Sequence, residues 1–455
     1  MKFSQHNKGK KLYGLIAVLI SALAALVLAG CAAEGDGMMS GGAMKPRSDN
    51  LDPQMSWPYN PVQYASNGGK FYINGQNEGF VTVFDARTQK KLKVINFWEY
   101  EYAQLRKQGK PVDEKAKDFI QKNARPHHSW IVPGGRYNYV SNNSRGWDRF
   151  WVVDTYTDKI VTHLNTGGTG PLHGAFSPFR DLAVFGAVQD RKKGVATFID
   201  TKNHKVLGTA KTSGLQTRDV VFTPDNKHVY ISNSGWNPKK GIMGGVDMID
   251  IDTMKVVKTF KIDGSRAMKM TYDGKLAGVV SIRKGSVTFI DMVKHEIIGT
   301  VKVGNRPNNI SFNPGNTKAY IGIQKDKVFT VVDLKTMKVK TKIPAGKNAN
   351  AMYFPPGNSK IAIGTSEADD FVTVIDTVND VKIKDIDTPL GAHNIAYTAD
   401  GKIAIVSCRK SREAVFIDVE KLEEIVVIDK AGHGNNGVRW APYGPGRSSK
   451  NPYGS

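Results

Sequence analysis

The sequence predicts an all-β fold, an eight-bladed β-propeller of four-stranded antiparallel blades, and three observations carry that prediction. The first is a unit of alternating apolar and polar residues, typified by 287–322, VTFIDMVKHEIIGTVKVG followed by NRPNNISFNPGNTKAYIG. It holds four short strands, each bounded by its own turn residues. The second is a period. An Asp closes the third strand of each unit, as Asp85, Asp154, Asp200, Asp250, Asp291, Asp333, Asp376 and Asp418. The spacings from Asp250 onward are 41, 42, 43 and 42 residues, inside the roughly 40–45 residues of a four-stranded blade. The third is physical: one such sheet cannot cover both its faces, whereas sheets repeated around an axis cover one another. The recurring Asp is expected to be a turn former, its carboxylate accepting from nearby backbone N–H groups, and not a catalytic group.

At the N-terminus, Lys2, Lys8, Lys10 and Lys11 precede an apolar run from 12 to 28 that ends in Leu28-Ala29-Gly30-Cys31. This is the charged, apolar and small-residue order of an export signal, assigned to 1–30. Residues 31–57 are rich in Gly, Ser, Met and Ala without periodicity and read as a flexible tether. No second apolar segment is long enough to span a bilayer. The propeller is assigned to 58–444. Blade one runs from VQYASNGGKFYI through VTVFDARTQKKLKVI, and blades two to eight begin near 125, 171, 217, 265, 306, 348 and 392. An aromatic-rich insertion at 97–124 contains Pro111 and Asp113 ahead of EKAKDFIQK, a helix start. It reads either as a lid or partner-docking loop or as a surface decoration. A ninth first-strand pattern, GHGNNGVRWAPYG, is expected to close the ring by pairing with the other end of the chain, and 445–455 reads as a disordered tail.

The formal charge of +22 falls to +18 once residues 1–30, with four lysines and no acids, are removed. The lysines are scattered through turns. An exported protein of this charge is expected to meet anionic lipid, an anionic surface polymer or an acidic redox partner, and not nucleic acid. Only two cysteines occur. With Cys31 at the end of the signal, Cys408 has no partner and no disulfide framework exists; in an alternating strand it reads as a small packed hydrophobe. There is no CxxCH, Walker loop, HExxH or GxSxG, which removes covalent c-type haem, P-loop, zincin and nucleophile-elbow chemistry.

The informative residues stand at the start of each first strand. Six residues before the Pro, or its substitute, in the turn after that strand lie His127, Arg218, Arg266, Asn308, Asn350, His393 and Asn436. Five before it lie His128, His173, Asp219, Asn309 and Asn394. First strands of a propeller line its channel, so these side chains are expected to gather at one mouth of the pore, as a polar ligand or metal requires. The histidines sharpen this. His163, His204, His228 and His295 fall on outer strands or turns, while His127, His128, His173, His393 and His433 fall at pore-mouth positions. Converging imidazoles suit copper, iron or zinc. A small anionic ligand, or a hydrated pore without any ligand, remains open on the same residues.

The Leu-Ala-Gly-Cys ending resembles the lipobox of bacterial lipoproteins. The resemblance implies that Cys31 is lipidated and inserted in membrane lipid. Because Ala32 stands where that family carries an Asp for inner-membrane retention, it implies an outer-membrane lipoprotein facing the periplasm, or a cell-surface one. The VxVID-T repeats, with YNYVSN and YISNS second strands, resemble the YVTN-type propellers of surface proteins. The exported eight-bladed domain is also similar to the haem d1 propeller of cytochrome cd1 nitrite reductase and its accessory proteins. That likeness implies haem d1 at the pore mouth, with His127, His128, His173, Arg218, Arg266 and His393 matching in kind, and a part in nitrogen-oxide respiration or haem d1 handling. Without a c-haem segment the chain departs from a self-sufficient nitrite reductase. Locally, RPHHSWIVPGGRYNYVSNN is similar to the His-His segment of nitrous oxide reductase and the related copper thiocyanate dehydrogenases. This implies copper held by His127, His128, His173, His393 and His433, although blades four to seven offer Arg, Met and Asn where those enzymes place further His. A non-enzymatic surface scaffold or protein-interaction propeller is the third reading.

Overall fold

Thirty-two strands in eight four-stranded sheets make up a β-propeller in the computed structural model, which describes residues 68–189, 193–234 and 244–453. The signal, the tether and Cys31 lie outside the described residues. The innermost strands of blades two to eight are β4 (Pro126–Ile131), β8 (Gly174–Phe176), β12 (Gln216–Phe222), β16 (Ser265–Met270), β20 (Pro307–Phe312), β24 (Ala349–Tyr353) and β28 (Ala392–Tyr397). They start within three residues of the positions read from sequence. Blade one takes its innermost strand from the other end of the chain: β32 (Asn435–Pro442) pairs antiparallel with β1 (Gly69–Gly75).

The sheets pack face to face around the ring. Phe71 and Phe84 of blade one meet Phe416 of blade eight edge-on at 5.8 and 6.3 Å, and the same buried cluster continues through Val140 and Trp151 of blade two. The recurrent Asp is a turn former, as its spacing suggested. Asp291 Oδ1 accepts from the N–H groups of Val293 and Lys294 at 2.9 and 2.8 Å, and Asp418 from those of Glu420 and Lys421. Four residues after each Asp the chain turns left-handed, for example at His295 (φ 56°) and Met337 (φ 53°). Each such residue closes the turn of the third-to-fourth strand hairpin, and a one-residue bulge follows three residues later in the fourth strand, as at Ile298 and Lys340.

That left-handed residue also meets the preceding blade. Tyr72 and Lys70 on β1 bond Asp158 of blade two, and Tyr139 bonds His204 of blade three. Tyr230 bonds His295 of blade five, and Tyr320 and Lys318 bond Asp380 of blade seven. These second-strand tyrosines are therefore inter-blade latches.

The insertion forms two helices, α1 (Phe97–Lys107) and α2 (Glu114–Asn123). Asp113 caps α2 as its sequence indicates. α1 is less legible because its run of aromatics has only middling helix propensity. Asn96 caps it, and its i, i+4 pair Phe97 and Glu101 is buried. Phe97 stacks on Trp151 at 4.4 Å, and Glu101 accepts from Trp151 Nε1 (2.9 Å) and lies 3.0 Å from His163 Nδ1 on β7 (Lys159–Leu164). The insertion is thus seated on the outer part of blade two and supplies no side chain to the pore-mouth cavity. Where composition reads as a disordered tail, residues 445–453 run back over blade one, with a Ser448–Asn451 bridge and the Tyr453 ring 5.4 Å from Lys70 Nζ.

Candidate functional site

A local irregularity of the innermost strands builds the site. In blades two and four to eight the pairing of first and second strands shifts register within the first few residues, as between Pro126 and Ser129 or Thr217 and Val220. A strict strand would turn alternate residues to opposite faces. The bulge re-aims them, so that consecutive residues such as His127 and His128, Arg218 and Asp219, or His393 and Asn394 all line one cavity. Its volume is about 300 Å³.

Three imidazoles meet there. His127, His128 and His173 each offer a ring nitrogen within 4.8 Å of the others, His128 buried and the other two partly open to the cavity. The rings of His128 and His173 are 5.0 Å apart, and His393 joins with its ring 6.4 Å from that of His128. Their outward-facing nitrogens are anchored. His127 Nδ1 bonds Gln76 Oε1 at 2.6 Å, His173 Nδ1 bonds Asp219 Oδ1, and His393 Nδ1 bonds the Asn436 carbonyl at 2.9 Å. With Nδ1–H donating to these acceptors, His127 and His173 keep a lone pair on Nε2, the arrangement by which metal-ligating histidines are oriented, whereas His393 Nε2 faces Glu367 Oε1 at 3.4 Å. His128 Nδ1 is buried with no hydrogen-bond partner among the described residues, and so is Arg218 Nε.

Electrostatics keeps the imidazoles neutral. Burial, then the positive neighbours, hold His127 and His128 well below the usual imidazole value. Burial also lowers His173 and His393, against the opposing pull of Asp219 and Glu367 respectively. Burial would raise the Asp219 carboxyl, but Lys269 and His173 outweigh it and hold it below the usual carboxylate range. It is thus the ionised acceptor that orients His173. Arg218, Arg266, Lys269, Arg409, Arg439 and Arg145 face two carboxylates, Asp219 and Glu367, across the cavity. Arg266 is pushed down to about 10 by burial and by Arg218. The chamber therefore combines neutral nitrogen donors with an excess of fixed cations, which suits a metal ion together with an anion.

The structure brings His127, His128, His173, Arg218, Arg266 and His393 together. It leaves His433 outside. That side chain is exposed in a glycine-flanked turn (Gly432 φ 140°, Gly434 φ 71°), where the His433 N–H donates to Glu78 and its ring does not line the cavity. Asn436 supports the site from behind, bonding Gln76 through its amide and His393 through its carbonyl. Sequence registration missed Lys269 and Arg439 on first strands, and Gln76, Arg145, Glu367 and Arg409 beyond second strands. The last four follow second strands, whose ends return to the face where first strands begin, so the residue just past each second strand was the available signal. Cys408 is buried, and burial pushes its thiol well above the ordinary range, which fits a packing residue.

No protein-family model matches the chain, and no curated protein matches it. Solved structures share its fold. A dihydro-haem d1 dehydrogenase, NirN, in complex with DHE aligns with a TM-score of 0.61 at 15% identity over 92% of this chain and 85% of that one. AztD from Citrobacter koseri gives 0.60 at 12% identity over 84% and 99%. Kuenenia stuttgartiensis hydrazine synthase gives 0.51 at 19% over 84% and 99%. At such identities the likeness concerns the propeller fold alone.

Proposed function

We propose that the pore mouth binds one transition-metal ion of the copper class through His127, His128 and His173, with His393 as an adjoining donor and the surrounding cations holding an anion beside it. The observation that carries this reading is the trio of neutral imidazoles with ring nitrogens within 4.8 Å of one another, two of them oriented by acceptors at Nδ1. Nitrogen donors of this type favour Cu(II) over the other divalent first-row ions. A bound copper ion supplies one-electron redox chemistry and Lewis acidity. The chain's own contribution is to hold the rings in one tautomer, keep them unprotonated and concentrate an anion at the open side. Lipidation at Cys31 and attachment to a membrane facing the periplasm, or to the cell surface, belong to the same proposal; Cys31→Ser should move the protein from the membrane fraction to the soluble one, and unchanged retention would count against it.

A second reading has two observations in its favour. The cation-rich chamber and the fold shared with NirN in complex with DHE suit a metallated tetrapyrrole of the haem d1 class, whose carboxylates Arg218 and Arg266 would meet. Titration of the purified protein with Cu²⁺ alone, and separately with haem, distinguishes the two. The copper reading expects a nitrogen-ligated Cu(II) resonance, one equivalent of which is lost in His127→Ala and His173→Ala, with no stable Soret band. Uptake of haem with a band weakened in the same variants would favour the tetrapyrrole. Neither signal would leave a scaffold or protein-interaction propeller.

A further inference from the structure

We infer that a second divalent-metal site, of the two-histidine, one-carboxylate class, lies between blades four and five and is built by Asp225, His228 and His295. The inference stands apart from the pore mouth. His228 opens β13 (His228–Ser234) at the end of blade four where β12 finishes, with Phe222 opposite Val229, whereas Arg218 and Asp219 reach the cavity from the beginning of β12.

The three side chains converge as ligands do. His228 Nδ1 lies 2.8 Å from Asp225 Oδ2, and His295 Nε2 lies 3.4 Å from the same oxygen. Each residue offers an atom within 4.8 Å of the others, and the imidazole centroids are 5.2 Å apart. Ligands about 2.0–2.2 Å from one ion stand roughly 3 Å from each other, so little movement closes the set. The outer atoms are already fixed. Tyr230 Oη bonds His295 Nδ1 at 2.7 Å, which leaves Nε2 facing Asp225. Thr223 Oγ1 and the Lys227 N–H hold Asp225 Oδ1, which leaves Oδ2 facing the histidines. Such outer partners are what a ligating His or Asp requires. The side chains are 31%, 17% and 20% exposed, in the order Asp225, His228, His295, so an ion can reach them from solvent.

Comparison with the equivalent latches makes the choice of residues informative. At the same structural position blades one and two place Lys70 against Asp158, and blades six and seven place Lys318 against Asp380, both complementary ion pairs. Blades two and three place Tyr137 edge-on to His204 at 4.4 Å. Only this junction of the four sets two imidazoles beside a carboxylate. Two imidazoles that share one acidic oxygen gain from a divalent cation what the other latches gain from Lys–Asp attraction. The two-His, one-carboxylate set leaves positions for water and suits Zn²⁺, Ni²⁺ or Co²⁺.

The test is calorimetric titration of the purified full-length protein with Zn²⁺ alone. His228→Lys combined with His295→Asp recreates the Lys318–Asp380 latch, so the fold keeps an inter-blade contact while the donor set is destroyed. This variant should bind one equivalent fewer than the wild type. A near-isosteric Asp225→Asn should weaken that same equivalent by at least 10-fold. A variant lacking His127 and His173 should retain it, which separates this site from the pore mouth. If the wild type binds a single Zn²⁺ equivalent that the Lys/Asp exchange abolishes, the second site stands whatever the pore mouth does with Cu²⁺. Unchanged stoichiometry and affinity in the Lys/Asp exchange would overturn the inference.

Discussion

Asp219 shows at the scale of one residue how the site is set. Its carboxylate takes His173 Nδ1 on one oxygen and the Met268 N–H (2.9 Å) on the other, with Lys269 Nζ at 3.9 Å. Its job is to fix a tautomer, and Asp219→Asn keeps its shape while weakening that control. Loss of an outer partner of this kind costs about 10- to 100-fold in metal affinity, so Cu²⁺ titration of Asp219→Asn should read within that range while the far-ultraviolet spectrum is unchanged. A second consequence concerns pH in the metal-free protein. His127, His128, His173 and His393 have folded-state values below the ordinary 6.5, chiefly through burial. Below pH 6.5 the unfolded chain therefore binds more protons than the folded one, and stability falls as pH drops toward the depressed folded values. The slope reaches up to about 1.4 kcal/mol per pH unit for each imidazole. Above about pH 7 both states are neutral and this contribution vanishes. Denaturation series between pH 7.5 and 5 should show the decline, and His173→Ala combined with His393→Ala should flatten it.

At the scale of strands and turns, the latches join blades that hydrogen bonding within sheets leaves separate. Lys70 and Asp158 are both fully buried, so removal of one partner leaves an uncompensated charge. Asp158→Ala should cost about 3–5 kcal/mol in chemical denaturation, with much of that recovered by adding Lys70→Met. A loss under 1 kcal/mol would mean that Lys70 finds water and that the latch is not structural. Strand-level features also explain what the sequence made legible. The eight recurring Asp residues, the blade starts and the closing strand were readable because turn chemistry and alternation are local. That both His127 and His128 face the cavity was registered from position but had no local cause, since alternation alone turns one of them away; the bulge between Pro126 and Ser129 supplies the cause. His433 was misplaced for the converse reason, because its flanking glycines turn it to solvent before β32 begins. The His–Asp cluster at blades four and five was hidden because His228 and His295 are 67 positions apart and meet only through the latch.

At the scale of the molecule, ring closure determines whether the site exists. β32 lies beside β4, and Gly437 approaches so closely that a Cβ there would sit 2.8 Å from His128 Cα. Asn436 and Gln76, from opposite ends of the chain, meet behind His127 and His393. His127, His128 and His393 are thus anchored to the seam where the two ends of the ring join, while blades three to five contribute His173 and half of the cations, Arg218, Arg266 and Lys269. Within this ring His127, His128 and His173 are proposed to share one metal ion. An anomalous difference map from a crystal of the copper-loaded protein, measured at the copper edge, tests it most directly. A peak is expected about 2.0–2.1 Å from Nε2 of His127, Nε2 of His173 and a ring nitrogen of His128. No peak in the cavity, or one bonded to none of these three residues, would contradict it.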